Sequence, residues 1–164
     1  MADTAPPVAL AAWPHRSYSW YVVALLTLGY ALAILDRVSI SLLIVPLQQD
    51  LGINDTEFGL LQGMAFSLFY SILGLPLGML CDRWRRVPIL VTGLFLWSAA
   101  TIGCAFASTF GELFVARMMV GIGEAALVPC AASLIADYFD PATRPKAYGT
   151  FVSGSSLRTA AAMA

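Results

Sequence analysis

The stretch Gly78-Met79-Leu80-Cys81-Asp82-Arg83-Trp84-Arg85-Arg86 separates two apolar runs, residues 58–80 and 87–106, each long enough to cross a bilayer. Four ionisable side chains within five residues are too costly for hydrocarbon, so the stretch reads as a short loop in water. Its three arginines against one aspartate place that loop in the cytoplasm, because cytoplasmic loops carry the excess of Lys and Arg. The fold class follows: an all-α, polytopic membrane protein whose other segments can be oriented from this one loop.

Composition agrees. Hydrophobic residues make up 59% of the chain and charged residues 12%, with a mean hydropathy of +0.78, outside the range of soluble domains. The net charge of -1 carries little information, since the distribution of cations among loops is what orients a membrane protein. Nothing points to nucleic acid. Cys81, Cys104 and Cys130 show neither a disulfide framework nor metal-ligand spacing and read as free thiols. No nucleophile constellation, metal cluster or phosphate-binding loop suggests an enzyme or a cofactor.

Residues 1–19 hold Pro6, Pro7, Pro14 and Asp3 and read as a disordered cytoplasmic tail rather than a signal peptide. Spanning helices are predicted at about 20–44, 58–80, 87–106 and 112–138, with a fifth from about 147 to 164. Pro46 helps end the first, Asn54 or Asp55 caps the second, Pro76 kinks the second, and Pro88 sits in the first turn of the third. Gly59, Gly63 and Ser67, followed by Ser71, Gly74 and Gly78, form a stripe that would admit a close neighbouring helix. The loops at 48–57 and 108–111 lack Lys and Arg and belong outside. Arg16, Arg83, Arg85, Arg86, Arg144 and Lys146 all fall on the opposite side, so the chain is expected to be multi-pass in a cell (inner) membrane with its amino terminus in the cytoplasm. The fifth crossing is barely complete, and the chain is expected to be a truncated helical bundle over 20–164.

Four charges lie inside predicted spans: Asp36 and Arg37 in the first, Arg117 and Glu124 in the fourth. A mid-helix Asp or Arg costs about 2.5 to 3.5 kcal/mol on insertion scales, so a protein interior or a cavity must receive each. At 1.5 Å per residue Asp36 lies about 15 Å from the outer end of its helix, and Arg117 and Glu124 about 8 and 18 Å from theirs. The depths overlap, and Arg117 and Glu124 share one face with Gly121 between them. The two helices should therefore meet or line one cavity. The plainer readings are that Arg117 snorkels to the interface, and that Asp36 or Arg37 is a fixed structural partner of another helix. Arg158 has no ready interpretation.

The opening stretch resembles the loop between the second and third helices of major facilitator superfamily transporters, G-x-L-x-D-R-x-G-R-[KR]. Gly78, Leu80, Asp82, Arg83 and Arg86 match it; Arg85 replaces the usual glycine and Val87 a usual basic residue. Arg117 to Ala125 is similar to the fourth-helix pattern R-x-x-x-G-x-G of the same superfamily. Leu35-Asp36-Arg37, Gly59-Leu60-Leu61-Gln62 and Gly123-Glu124-Ala125 resemble its spinster-type branch of lipid and organic-anion carriers. The resemblance spans about residues 20–157 and implies two six-helix bundles rocking around a central site, of which this chain supplies four helices and most of a fifth. The expected function is secondary active, proton-coupled transport of an amphipathic or anionic organic solute. Glu124 and Asp36 are its candidate proton sites, Arg117 and Arg37 the substrate or ion-pair partners, and Gly78, Asp82, Arg83 and Arg86 the conformational loop motif. The resemblance further implies that Asp82 ties the loop to the opposite bundle; otherwise it caps the next helix or pairs with Arg86. The implied partners are a small organic solute, protons, the lipid bilayer and a missing carboxy-terminal bundle. The rival reading is an inactive transporter remnant or a non-transporting helical membrane protein.

Overall fold

The computed structural model describes residues 15–154, and all regular structure among them is helical. Four helices are long and apolar enough to cross a membrane: Arg16–Leu42, Asp55–Arg83, Arg86–Phe106 and Phe110–Tyr138. Residues 1–14 of the expected tail, and Arg158 with the rest of 155–164, lie outside the described residues.

The first span starts at Arg16, so residues 16–19, expected in the tail, are helical. They dock on the end of the fourth span, where Ser19 donates to the Tyr138 carbonyl (3.2 Å) and Trp20 packs edge-on against Phe139. After Leu42 the chain forms a short helix, Ile44–Leu51, in place of an open loop, with Pro46 in its first turn rather than ending the span. Gly52, at φ 63°, closes it in the left-handed conformation that glycine adopts without Cβ strain.

Asn54 caps the second span. Its side chain accepts from the Glu57 N–H while the Glu57 carboxylate accepts from the Asn54 N–H, a reciprocal capping box. The helix contains a π-helical segment, Leu60–Ala65, continues through Pro76 and ends only at Arg83. The charged loop is thus shorter than expected. Asp82 and Arg83 occupy the last helical turn, Trp84 and Arg85 alone are non-helical, and Arg86 opens the third span. A cation at a helix carboxyl end offsets the macrodipole, and exposed charged side chains reach water from the helix end, so no long loop is required.

The fourth span is interrupted at its middle, Phe110–Glu124 being followed by Leu127–Tyr138. Pro129 has no N–H to give the Ala125 carbonyl four residues back, which accounts for the break. At its far end Asp140 accepts from the Ala142 and Thr143 N–H groups and the Thr143 hydroxyl, and these bonds, those to Thr143 foremost, hold its carboxyl below the usual carboxylate range. Arg144 donates to the Ala136 and Phe139 carbonyls, satisfying acceptors that the helix end leaves open. The helix Arg144–Ser153 follows as the start of the fifth.

The fourth span is the hub: 61% of its most apolar window is buried, against 17–22% for the other three. Glycines make this possible. A Cβ on Gly121 would stand 2.8 Å from the Phe66 carbonyl oxygen, and one on Gly123 2.7 Å from the Gly93 carbonyl oxygen and 2.6 Å from the Trp97 nitrogen. The second and third spans therefore touch the fourth backbone to backbone, where packing rather than hydrophobicity drives helix association. The stripe on the second span behaves differently: Gly59, Gly63 and Gly74 have no neighbour within 4 Å, and only Gly78 meets the fourth span, at Pro129. One turn beyond that contact Cys81 and Cys130 are joined as a disulfide with a Cα–Cα distance of 5.6 Å, so of the three cysteines expected as free thiols only Cys104 is free. Spacing in the chain conceals this pairing, because the two positions meet only through the approach of two helices.

Candidate functional site

Adjacent residues of the first span, Asp36 and Arg37, are paired with residues two turns apart on the fourth. Arg117 Nη1 donates to Asp36 Oδ2 at 2.9 Å, and Arg37 donates through Nη2 (2.7 Å) and Nε (3.0 Å) to Glu124 Oε2. The direct Arg117–Glu124 contact within one helix is absent, and a crossed arrangement between two helices takes its place. Consecutive residues point about 100° apart around a helix, so Asp36 and Arg37 diverge to reach partners at different depths.

The two pairs sit in unlike surroundings. Asp36 and Arg117 are enclosed, with side chains 13% and 5% exposed, and Thr101 of the third span donates to Asp36 Oδ1 at 3.4 Å. Arg117 is therefore a buried group rather than one snorkelling to the interface. Glu124 is also fully buried, but Arg37 opposite it is 36% exposed. The guanidinium of Arg37 lies 4.6 Å from the Phe66 ring centroid and 5.0 Å from that of Tyr70, over two rings stacked on each other. Phe66 follows the π-helical segment directly, and Gly121 lets its backbone press on the fourth span one turn from Glu124. Among the described residues, two buried side-chain polar atoms have no partner, Arg117 Nε and Glu124 Oε1. Both belong to this layer, so its polar capacity is not used up internally.

The loop residues separate from this site. Gly78 rests on Pro129. Arg86 donates to Ser133 (2.8 Å) and is paired with Asp137 (2.6 Å) on the fourth span, leaving Asp82 without it. Asp82 and Arg83 are exposed, and their side chains make no hydrogen bond or ion pair among the described residues. The sequence reading missed Thr101, Phe66 and Tyr70. The four-residue spacing of the two aromatics marks one helix face but says nothing of which helix it meets. It also missed the contact of Gln62 with Ser41, which ties the second span to the first beyond the charge layer.

Residues 26–164 match the family model described as the Major Facilitator Superfamily. The chain is 34% identical over 157 residues to the probable L-galactonate transporter of Escherichia coli K12, covering 94% of this chain and 34% of that protein. It is likewise 34% identical to the mouse sphingosine-1-phosphate transporter SPNS2, over 84% of this chain and 28% of the relative. Among solved structures, a bacterial homologue of the human lysosomal transporter spinster, inward-facing and unoccupied, superposes with a TM-score of 0.82 at 38% identity, over 86% of this chain and 29% of that one. The chain thus spans about a third of the length of the curated relatives it matches. With the four spans, the crossed charge layer and these likenesses together, the chain belongs to the Major Facilitator Superfamily and resembles its spinster-type members.

Proposed function

We propose that the protein this chain represents carries an amphipathic or anionic organic solute across the membrane, coupled to protons, and that Glu124 is the coupling group. The observation that carries this reading is the open pair. Glu124 is fully buried with one carboxylate oxygen unpartnered, while its cation, Arg37, is the one member of the layer with substantial exposure. A buried carboxylate that loses its cation takes up a proton, and one that regains it releases the proton. An anionic substrate that competes for Arg37 would link its own binding to that exchange. The solute class is supported by relatives named for galactonate, galacturonate, an anion and sphingosine-1-phosphate.

In this reading Asp36 is a second, more enclosed proton site, and Arg117 fixes its charge. Gly78, Asp82, Arg83 and Arg86 act in the conformational cycle, with Asp82 free to bond elsewhere because Arg86 is engaged by Asp137. The basic end of the bundle, with Arg83, Arg85, Arg86, Arg144 and Lys146, faces the cytoplasm. The test uses Glu124→Gln in the full-length protein. The variant should insert and bind substrate, yet lose the dependence of uptake on an imposed pH gradient. Accumulation of substrate against its gradient, driven by protons in that variant, would refute the role of Glu124.

A further inference from the structure

A cleft of about 860 Å³ lies between the second and third spans and shares no residue with the charge layer. Leu73, Leu77 and Leu80 form one wall, Ile89 and Leu96 the other, and the small residues Gly123 and Ala126 of the fourth span line its floor. Its volume is that of a ligand site. Arg83, Trp84 and Arg85 stand at one end. From Leu73 to Arg83 the wall runs ten residues, about 15 Å of helix, which is half of a hydrocarbon core about 30 Å thick. The cleft therefore has the depth of one leaflet, apolar along its length and cationic at its mouth.

The arginines at the mouth are free to bind. Arg83 and Arg85 are exposed, and their side chains have no hydrogen bond or ion pair among the described residues, whereas Arg86 next to them is held by Asp137 and Ser133. Trp84 is 71% exposed, as suits an aromatic ring at the level of lipid headgroups. We propose that the cleft is a site for one anionic phospholipid of the leaflet at the basic end, its acyl chain lying between the second and third spans and its phosphate between Arg83 and Arg85. A basic end on a crevice between transmembrane helices is the arrangement that recognises anionic headgroups. The inference goes beyond the transport reading and does not depend on it.

Native mass spectrometry of the delipidated full-length protein, titrated with phosphatidylglycerol or with phosphatidylcholine of the same acyl chains, tests the site. One phosphatidylglycerol should be retained in preference to phosphatidylcholine. Arg85→Gln should weaken that binding about fivefold, and Arg83→Gln with Arg85→Gln about 25-fold, as expected for two headgroup cations. Thr92 of the third span also lines the cleft, and Thr92→Trp, which fills it and leaves the arginines in place, should remove the binding while preserving the melting temperature. Equal retention of both lipids, binding unchanged by these variants, or no lipid held by the native protein would each overturn the proposal. Inorganic phosphate binding at the arginines with no effect of Thr92→Trp would do so too, since the cleft would then play no part.

Discussion

The Asp36–Arg117 and Arg37–Glu124 pairs use the same two helices and nearly the same distances, yet they are built for different behaviour. The first is sealed, with both side chains little exposed and Thr101 closing the second carboxylate oxygen. The second has an enclosed anion and a cation that is a third exposed and rests on two aromatic faces. A sealed pair in low dielectric is costly to separate, because breaking it leaves an uncompensated buried charge. An open pair can exchange its cation for water or a ligand at less cost. Adjacent residues of one helix thus supply a fixed strut and a movable contact.

The comparison is most directly broken at the sealed pair. Asp36→Asn keeps the shape but leaves Arg117 buried without its anion, and should destabilise the protein by about 3 to 5 kcal/mol, read as a fall in the melting temperature in detergent. The same isosteric change in the open pair, Glu124→Gln, removes one charge-assisted interaction and leaves Arg37 partly in water and over its aromatic rings, so about 1.5 to 3 kcal/mol is expected. If the two variants melt alike, the distinction between strut and movable contact is wrong.

Gly121→Ala sharpens the contrast further. Its Cβ would meet the Phe66 carbonyl oxygen and push the second span outward, costing about 1 to 3 kcal/mol and loosening Arg37 from Phe66 while sparing the Thr101 side of the sealed pair. An intrinsic probe of the Phe66–Tyr70 stack should move in this variant and stay fixed in Asp36→Asn. Gly59→Ala is the control and the smallest effect, since nothing lies within 4 Å of that position and alanine is the better helix former: a change of about 0.5 to 1 kcal/mol in the stabilising direction is expected. A large loss there would mean that a neighbour covers the stripe.

Away from the charge layer, the Cys81–Cys130 disulfide predicts a cross-linked peptide pair in a non-reducing digest, and alkylation of Cys81 only after reduction, since its side chain is fully buried. Labelling of Cys81 in the unreduced, folded protein would contradict the helix contact through Gly78 and Pro129.

Much was legible in the chain alone. A spanning segment must satisfy its own backbone and match about 30 Å of hydrocarbon, so four apolar runs of sufficient length dictate four helices. The Asn54 cap, Pro88 in a first turn and the basic end at Arg83 to Arg86 are local or additive properties, readable one segment at a time. The cost of a charge in hydrocarbon likewise marked Asp36, Arg37, Arg117 and Glu124 as groups in need of partners.

Which partners they take was decided by the tertiary structure. Two cations and two anions on two helices allow pairing within the fourth span or between spans, and the choice depends on the rotation and depth of each helix. Backbone contact at Gly121 and Gly123 sets them for the second and third spans against the fourth, and the packing of Val23, Leu26 and Ala33 with Leu127, Ala131 and Leu134 sets them for the first. The same holds for Phe66 and Tyr70 under Arg37, for Thr101 on Asp36 and for Cys81 against Cys130. Periodicity assigns each of these a face on its own helix; only the packing of all the helices determines what that face meets.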